Sequence, residues 1–332
     1  MSEKQLSIDF PTDHFLLQNK SPLPGYKTEE IVTYSSSGKR KVRVICKPNE
    51  TLRIMHDIMK EVLSPVYNKK NLPYAYQWIK GISTPPIAAL QHHKENRKFY
   101  PRHWFVTDLK SAYHSMDLIE ASIYVEIFCQ INGINPVIDW TISMILYCTD
   151  PNMTLAEGLP VSPWLFNIYA HYKLDIYLAL LAHKYNARYS RLGDDLIFSS
   201  PEPFGKRKRK AILGFVRNQG FTISERKTKV IDLTKNHGAS INGIGIRNTV
   251  SKGELFLPRD YRAKIKGLLH VALYGLDENG RLNDPSNFPE INGMMAIFKK
   301  LVPKNVDSWT KDDDWIVENY EIFRESFHNK AG

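Results

Sequence analysis

Two adjacent carboxylates, Asp194 and Asp195, follow Gly193 in the stretch Arg188-Tyr189-Ser190-Arg191-Leu192-Gly193-Asp194-Asp195-Leu196-Ile197-Phe198-Ser199. The flanking runs read as strands with a bend between them, which places the pair at the tip of a β-hairpin. Successive residues of an extended strand point to opposite faces, so a turn is needed for such a pair to project toward one site. Carboxylates held this way suit a divalent cation that prefers oxygen donors. Gly and Asp are also common in turns for backbone reasons alone, so the metal reading needs further carboxylates. Upstream, His103-Trp104-Phe105-Val106-Thr107-Asp108 reads as a buried strand that ends in one, followed by Leu109-Lys110-Ser111-Ala112-Tyr113. Between these two sites lies a Gly/Pro loop, Leu155-Ala156-Glu157-Gly158-Leu159-Pro160-Val161-Ser162-Pro163, that leads into a long helical pattern.

The elements that must position these residues can be read along the chain. Residues 1 to about 25 carry Pro11, Pro22, Pro24 and Gly25 and read as an irregular arm. Glu30 to Tyr34 and Lys41 to Ile45 form a hairpin around the polar loop Ser35 to Gly38, and Leu52 to Leu63 is a helix. From Lys69 to Arg102 the chain is polar and Pro-broken, and no element is assigned. Ser162 as N-cap and Pro163 at the first helical position start a helix whose residues Leu165, Ile168, Tyr169, Tyr172, Ile176 and Leu180 recur at helical spacing and predict a buried face. Lys206 to Lys210 read as the solvated start of another helix. Phe215 to Thr222 crosses Gly220 into a short strand ending near Lys227. Pro258 to Tyr274 predicts an amphipathic helix stopped at Gly275, with Arg259, Arg262, Lys266 and His270 on one side and Ile265, Leu268, Leu269 and Ala272 on the other.

The 332 residues exceed what one core usually serves, so subdomains are expected. The composition, 42% hydrophobic and 24% charged, is that of a folded globular protein, and no run is long and apolar enough to span a bilayer. The start, Met1-Ser2-Glu3-Lys4-Gln5, has no apolar signal region, from which a cytoplasmic location is expected. Cys46, Cys129 and Cys148 lack metal-like spacing and are expected as reduced, buried small hydrophobes. With 45 Lys and Arg against 35 Asp and Glu, the net charge is +10, which suits a polyanionic partner.

The order of these motifs resembles the reverse transcriptases, specifically the bacterial retron, group II intron and phage-defence branch. The likeness rests on Asp108-Leu109 with an aromatic, Tyr113, five residues after the Asp; on Gly158 with Ser162-Pro163 and Asn167; and on the Asp194-Asp195 hairpin. It extends to Lys39 through Pro48, to Thr222-Ile223-Ser224-Glu225-Arg226-Lys227-Thr228 and to Ser240-Ile241-Asn242-Gly243. Leu192 stands where the family's hairpin usually has an aromatic, and Glu157 where it usually has Gln.

The resemblance implies an α+β right-hand polymerase: an N-terminal arm (1–25), fingers (26–100), a palm of antiparallel sheet and helices that takes in part of the fingers (101–250) and a helical thumb (251–332). The implied activity is RNA-directed DNA synthesis, the extension of a primer by two-metal phosphoryl transfer. Asp108, Asp194 and Asp195, with the Leu109 backbone, would hold two magnesium ions, manganese being the alternative. Lys227 would protonate the departing pyrophosphate. Lys41, Arg43, Leu109, Glu157, Gly158 and Asn167 would line the deoxynucleoside triphosphate site, and Tyr113 would block a ribose 2′-hydroxyl. Leu192, Gly193, Gly243, Arg259, Arg262 and Lys266 would meet nucleic acid. The implied partners are a structured non-coding RNA, the DNA product and a separate effector protein or a second copy of the chain, in phage defence or a retroelement and away from membranes. A template-independent deoxynucleotide polymerase and a non-catalytic RNA-binding scaffold of the same fold are the alternatives.

Overall fold

A computed structural model describes residues 25–34, 40–93, 99, 101–135, 138–150, 152–247, 255–275, 288–302 and 309–328. The arm expected before Gly25, the loop Ser35 to Gly38 and the Lys41 side chain lie outside the described residues.

The chain opens on β1 (Tyr26–Tyr34) and β2 (Arg40–Pro48), which pair antiparallel over their whole length, Tyr26 opposite Pro48 and Tyr34 opposite Arg40. Both strands run longer than the apolar alternation alone suggests. Helix α1 (Glu50–Leu63) starts on Asn49, whose side chain accepts from the Leu52 backbone N–H, a favoured N-cap bond. Next come α2 (Pro85–His92), in the stretch left unassigned from sequence, and β3 (His103–Lys110), buried along all but its last residue. Helices α3 (Leu118–Ile131), α4 (Ile138–Leu146), α5 (Ser162–Ala170) and α6 (Ile176–Lys184) follow. The hairpin strands are β4 (Arg188–Leu192) and β5 (Asp195–Ser200). After α7 (Lys206–Asn218) come β6 (Thr222–Ile223), β7 (Lys229–Asp232), β8 (Gly238–Ile241), β9 (Ile244–Arg247) and β10 (Leu255–Phe256). The helices α8 (Arg259–Tyr274), α9 (Phe288–Leu301) and α10 (Lys311–His328) end the described chain.

Two expectations about α5 and α6 are corrected. Ser162 is the first helical residue, not the cap; Val161 holds the N-cap place without a side-chain bond, and Ser162 is buried. The helical spacing also slips. A π-helical turn, His171–Asp175, separates α5 from α6, and its extra residue rotates everything after it. Leu174, Leu178 and Ala182 therefore face the core, whereas Leu180, expected inside, is 65% exposed. The short strand after Gly220 likewise ends at Ile223, before a 3-10 turn over Glu225–Lys227.

Contacts divide the chain into two compact units. One contains Met1–Gly81, Phe105–Phe198 and Phe204–Lys229, the other Ile82–Trp104, Ser199–Pro203 and Val230–Gly332. Both units are discontinuous in sequence. A five-stranded sheet has the order β4-β5-β3-β6, with β7 also on β3. In the second unit β10-β9-β8 form a three-stranded sheet, and the chain reverses between β8 and β9 at Asn242 and Gly243, both with positive φ as Asn-Gly hairpin turns require. Helices α8, α9 and α10 share a core of Ile265, Leu269, Met295, Phe298, Ile316 and Phe323. The three cysteines are free and buried.

Candidate active site

The strand-to-turn geometry brings the three carboxylates together. β3 lies beside β5 in the sheet, so Asp108 near the end of β3 meets the start of β5, and the Leu109 N–H donates to the Asp194 carbonyl at 2.9 Å. Gly193 and Asp194 form the turn between β4 and β5, and Gly193 has φ +65°, a left-handed value glycine adopts without penalty. A Cβ there would also meet the end of the Gln77 side chain, which would have to move, so it is the backbone conformation that calls for glycine. The result is a cluster in which one oxygen from each of Asp108, Asp194 and Asp195 lies within 4.8 Å of the others. Asp108 is buried, Asp194 exposed and Asp195 half-buried.

Three carboxylates this close repel one another. Partial desolvation by the surrounding protein, then the charge of Asp108, pushes the Asp194 carboxyl up. Desolvation, then the charges of Asp194 and Asp195's other neighbour Asp108, raises Asp195 to about 7. Such a set lacks positive charge, and an oxygen-preferring divalent cation is the group that fits it. Lys227 supplies part of that charge, its Nζ donating to Asp108 Oδ1 at 2.6 Å. Desolvation lowers the Lys227 ammonium, but the hydrogen bond and charge of Asp108 outweigh this and hold it above its ordinary value. Lys227 is placed by the 3-10 turn after β6, itself tied back through Ser224 N–H to the Asp108 carbonyl at 2.8 Å.

Around this cluster stand other expected residues. Tyr113 is half-buried with its ring against Phe166, centroids 5.2 Å apart. Burial, then the charges of Glu157 and Asp194, push its hydroxyl well up. Gly158 has φ +97°, and a Cβ there would be 2.7 Å from the Cys46 carbonyl; the loop lies directly on β2, with Cys46 N–H donating to the Glu157 carbonyl at 2.7 Å. Arg43, exposed on β2, is near enough for its charge to lower the Asp194 carboxyl.

Other expected residues have different places. Asn167 is fully buried; its amide nitrogen donates to Tyr67 Oη at 2.7 Å and to the Gln77 carbonyl at 2.9 Å, which joins α5 to the segment before α2. Leu192 is buried at the end of β4. In the second unit, Arg262 donates to Asp313 at 2.7 Å, which ties α8 to α10, and to the Leu257 carbonyl just before α8 at 2.6 Å. Lys266 pairs with Asp312 at 2.6 Å, Arg259 is exposed, and Gly243 packs against the Tyr261 ring.

The sequence reading missed Arg191 and Asp175. Both are fully buried and joined by Nε–Oδ1 and Nη2–Oδ2 bonds of 2.9 Å each. Arg191 Nη1 also donates to Asn167 Oδ1 at 2.8 Å and to the Gly193 carbonyl at 3.0 Å, and Tyr189 donates to Asp175 at 2.7 Å. The guanidinium thus holds the turn that carries Asp194, and the π-helical turn delivers Asp175 to it. An Asp inside a largely apolar helix stretch was the available signal for Asp175; β4, Arg-Tyr-Ser-Arg-Leu, gives none for Arg191.

A family model described as "Reverse transcriptase (RNA-dependent DNA polymerase)" matches residues 28–246. The chain belongs to this reverse transcriptase family. Among curated relatives, the Retron Mx65 reverse transcriptase of Myxococcus xanthus is 28% identical over 154 residues, 46% of this chain and 32% of the relative. Among solved structures, telomerase from Candida albicans in complex with a TWJ fragment of telomeric RNA aligns with TM-score 0.53 and 14% identity, covering 93% of this chain and 56% of that one. The chain spans under two thirds of either, and the second likeness concerns the fold alone, a right-hand polymerase of mixed helices and antiparallel sheet. Among the described residues no helix is long and apolar enough to cross a membrane.

Proposed function

We propose that this reverse transcriptase family member is an RNA-directed DNA polymerase that extends a primer with deoxynucleotides. The observation that carries the reading is the approach of Asp108, Asp194 and Asp195 to within 4.8 Å. The all-carboxylate donor set suits magnesium, and a bound pair of such ions would activate the attacking 3′-hydroxyl and neutralise the leaving pyrophosphate. Asp108, Asp194 and Asp195, with the Leu109 backbone, would hold those ions. Lys227, protonated beside Asp108, has a proton to give to the leaving group. Arg43, with Lys41, steers the triphosphate, Glu157 and Gly158 line its loop, and Tyr113 presents a ring to the sugar, where bulk disfavours a 2′-hydroxyl. The net charge of +10 favours an RNA partner, here read as a dedicated structured RNA. Residues 26–100 serve as fingers, 101–250 as palm and 251–332 as thumb, and the enzyme works in the cytoplasm. The test is primer extension on an RNA template with deoxynucleotides and magnesium. Product that depends on template and is absent in Asp194→Asn supports the reading; untemplated extension, or equal product in the variant, overturns it.

A further inference from the structure

The segment from Tyr74 to Ile79 runs along β4 and is tied to it. Arg191 N–H donates to the Tyr74 carbonyl at 2.8 Å, Tyr76 N–H donates to the Arg191 carbonyl at 3.0 Å, and Ala75 forms a parallel bridge to Arg191. Asn167 then takes the Gln77 carbonyl, and Ile79 is buried. Between these anchored neighbours Trp78 has φ +59°, a left-handed conformation that is costly for a bulky L residue and persists only where its surroundings impose it. The residue is nevertheless 40% exposed. Core packing does not explain a strained residue whose large apolar side chain is left in solvent.

Its location does. The Trp78 ring carbon Cη2 would lie 3.6 Å from a Cβ on Gly193, so the indole borders the turn that carries Asp194 and Asp195. The hairpin tip has no aromatic of its own, since Leu192 is buried and residues 193–195 are Gly, Asp and Asp. A strand whose end reacts at these carboxylates must bring its last base close to the turn. Every base has a π-face, so an exposed ring there holds the end without selecting sequence.

We propose that Trp78 is a stacking platform for the terminal nucleobase of the strand that reacts at Asp108, Asp194 and Asp195. This rests on the polymerase reading above. Gln77, whose side chain crosses Gly193, and the buried Ile79 fix the direction of the ring; Trp78 itself contributes the face.

The intact chain is titrated with an RNA–DNA primer–template carrying 2-aminopurine at the primer 3′ end, following anisotropy for affinity and 2-aminopurine emission for stacking. Trp78→Ala is expected to weaken binding about tenfold, the scale of one lost base–aromatic stack, and to lose the quench. Trp78→Phe should restore both, while Trp78→Leu, which keeps apolar bulk without a π-face, should restore neither at a similar melting temperature. Trp78→Gly should melt above Trp78→Ala, because glycine accepts the left-handed φ. Binding and quenching by Trp78→Ala equal to wild type, or rescue by Leu as complete as by Phe, would overturn the proposal. A wild-type chain that quenches the probe yet incorporates no nucleotide would sink the polymerase reading and leave stacking supported.

Discussion

The Arg191–Asp175 pair offers a perturbation whose consequences for stability and for catalysis separate. Both side chains are fully buried, and the carboxylate is the guanidinium's counter-charge. Asp175→Asn removes that charge and keeps the shape, leaving Arg191 ionised and unpaired in the interior. Loss of one partner of a buried pair costs about 3–5 kcal/mol. The two 2.9 Å charge-assisted bonds, at roughly 1.5–3 kcal/mol each, bracket the same figure. For a folding unit of this size each kcal/mol moves Tm by about 2–4 °C, so Tm should fall by roughly 6–20 °C. The double variant Asp175→Leu with Arg191→Met replaces the pair by apolar volume and should recover most of that loss. Primer extension should not recover with it, because the Gly193 carbonyl loses its 3.0 Å donor and the turn carrying Asp194 is no longer held. Thermal melts and single-turnover extension on the three proteins make the comparison. A Tm for Asp175→Asn within about 2 °C of wild type, or a double variant that regains activity along with stability, would refute the reasoning.

Asp108→Asn and Asp194→Asn should each abolish magnesium-dependent incorporation without unfolding the protein, and Asp194→Asn should melt no lower than wild type since it removes a charge repelled by Asp108, whereas Asp108→Asn also gives up its ion pair with Lys227; incorporation assays and melts on the same preparation decide it. Tyr113→Ala should lower the deoxy- to ribonucleotide ratio of kcat/KM by one to two orders of magnitude, the scale of a removed pocket clash, whereas a role in packing alone would depress both substrates and the Tm together. Gly158→Ala should lose activity and Tm, as its Cβ meets the Cys46 carbonyl at 2.7 Å. In the second unit, burial pushes the Asp313 carboxyl up, but hydrogen bonds from Arg262 and Thr310 outweigh it and leave it below the usual range. Its stabilisation is therefore complete above an ordinary carboxyl pKa of 3.8 and lost as pH falls through the lower folded value. Asp313→Asn should reduce Tm at pH 7 and flatten the acid limb of the Tm profile; an acid limb unchanged from wild type would exclude this pair as its source.

The sequence by itself determined the parts of this protein that depend on neighbours in the chain. Gly193 before Asp194-Asp195 specified a hairpin because the turn needs a left-handed φ, Asn242-Gly243 did the same for the second hairpin, and a run of apolar residues ending in Asp108 specified a buried strand with a carboxylate near its end. Motif order then carried the family. Only the tertiary structure decided what depends on phase and long-range charge. The π-helical turn at His171–Asp175 inserts a residue that hydrophobic spacing does not register, and so it reversed the expected burial of Leu180 and turned Asp175 inward. Arg191 reads in the chain as a surface charge, and its burial follows from a counter-charge sixteen residues upstream and a carbonyl two residues on. The same holds for Asn167, a polar residue whose partners lie in distant segments and which packs inside because those partners satisfy it there. Trp78 is the converse case, an apolar residue kept outside because the backbone on either side of it is bound to the hairpin.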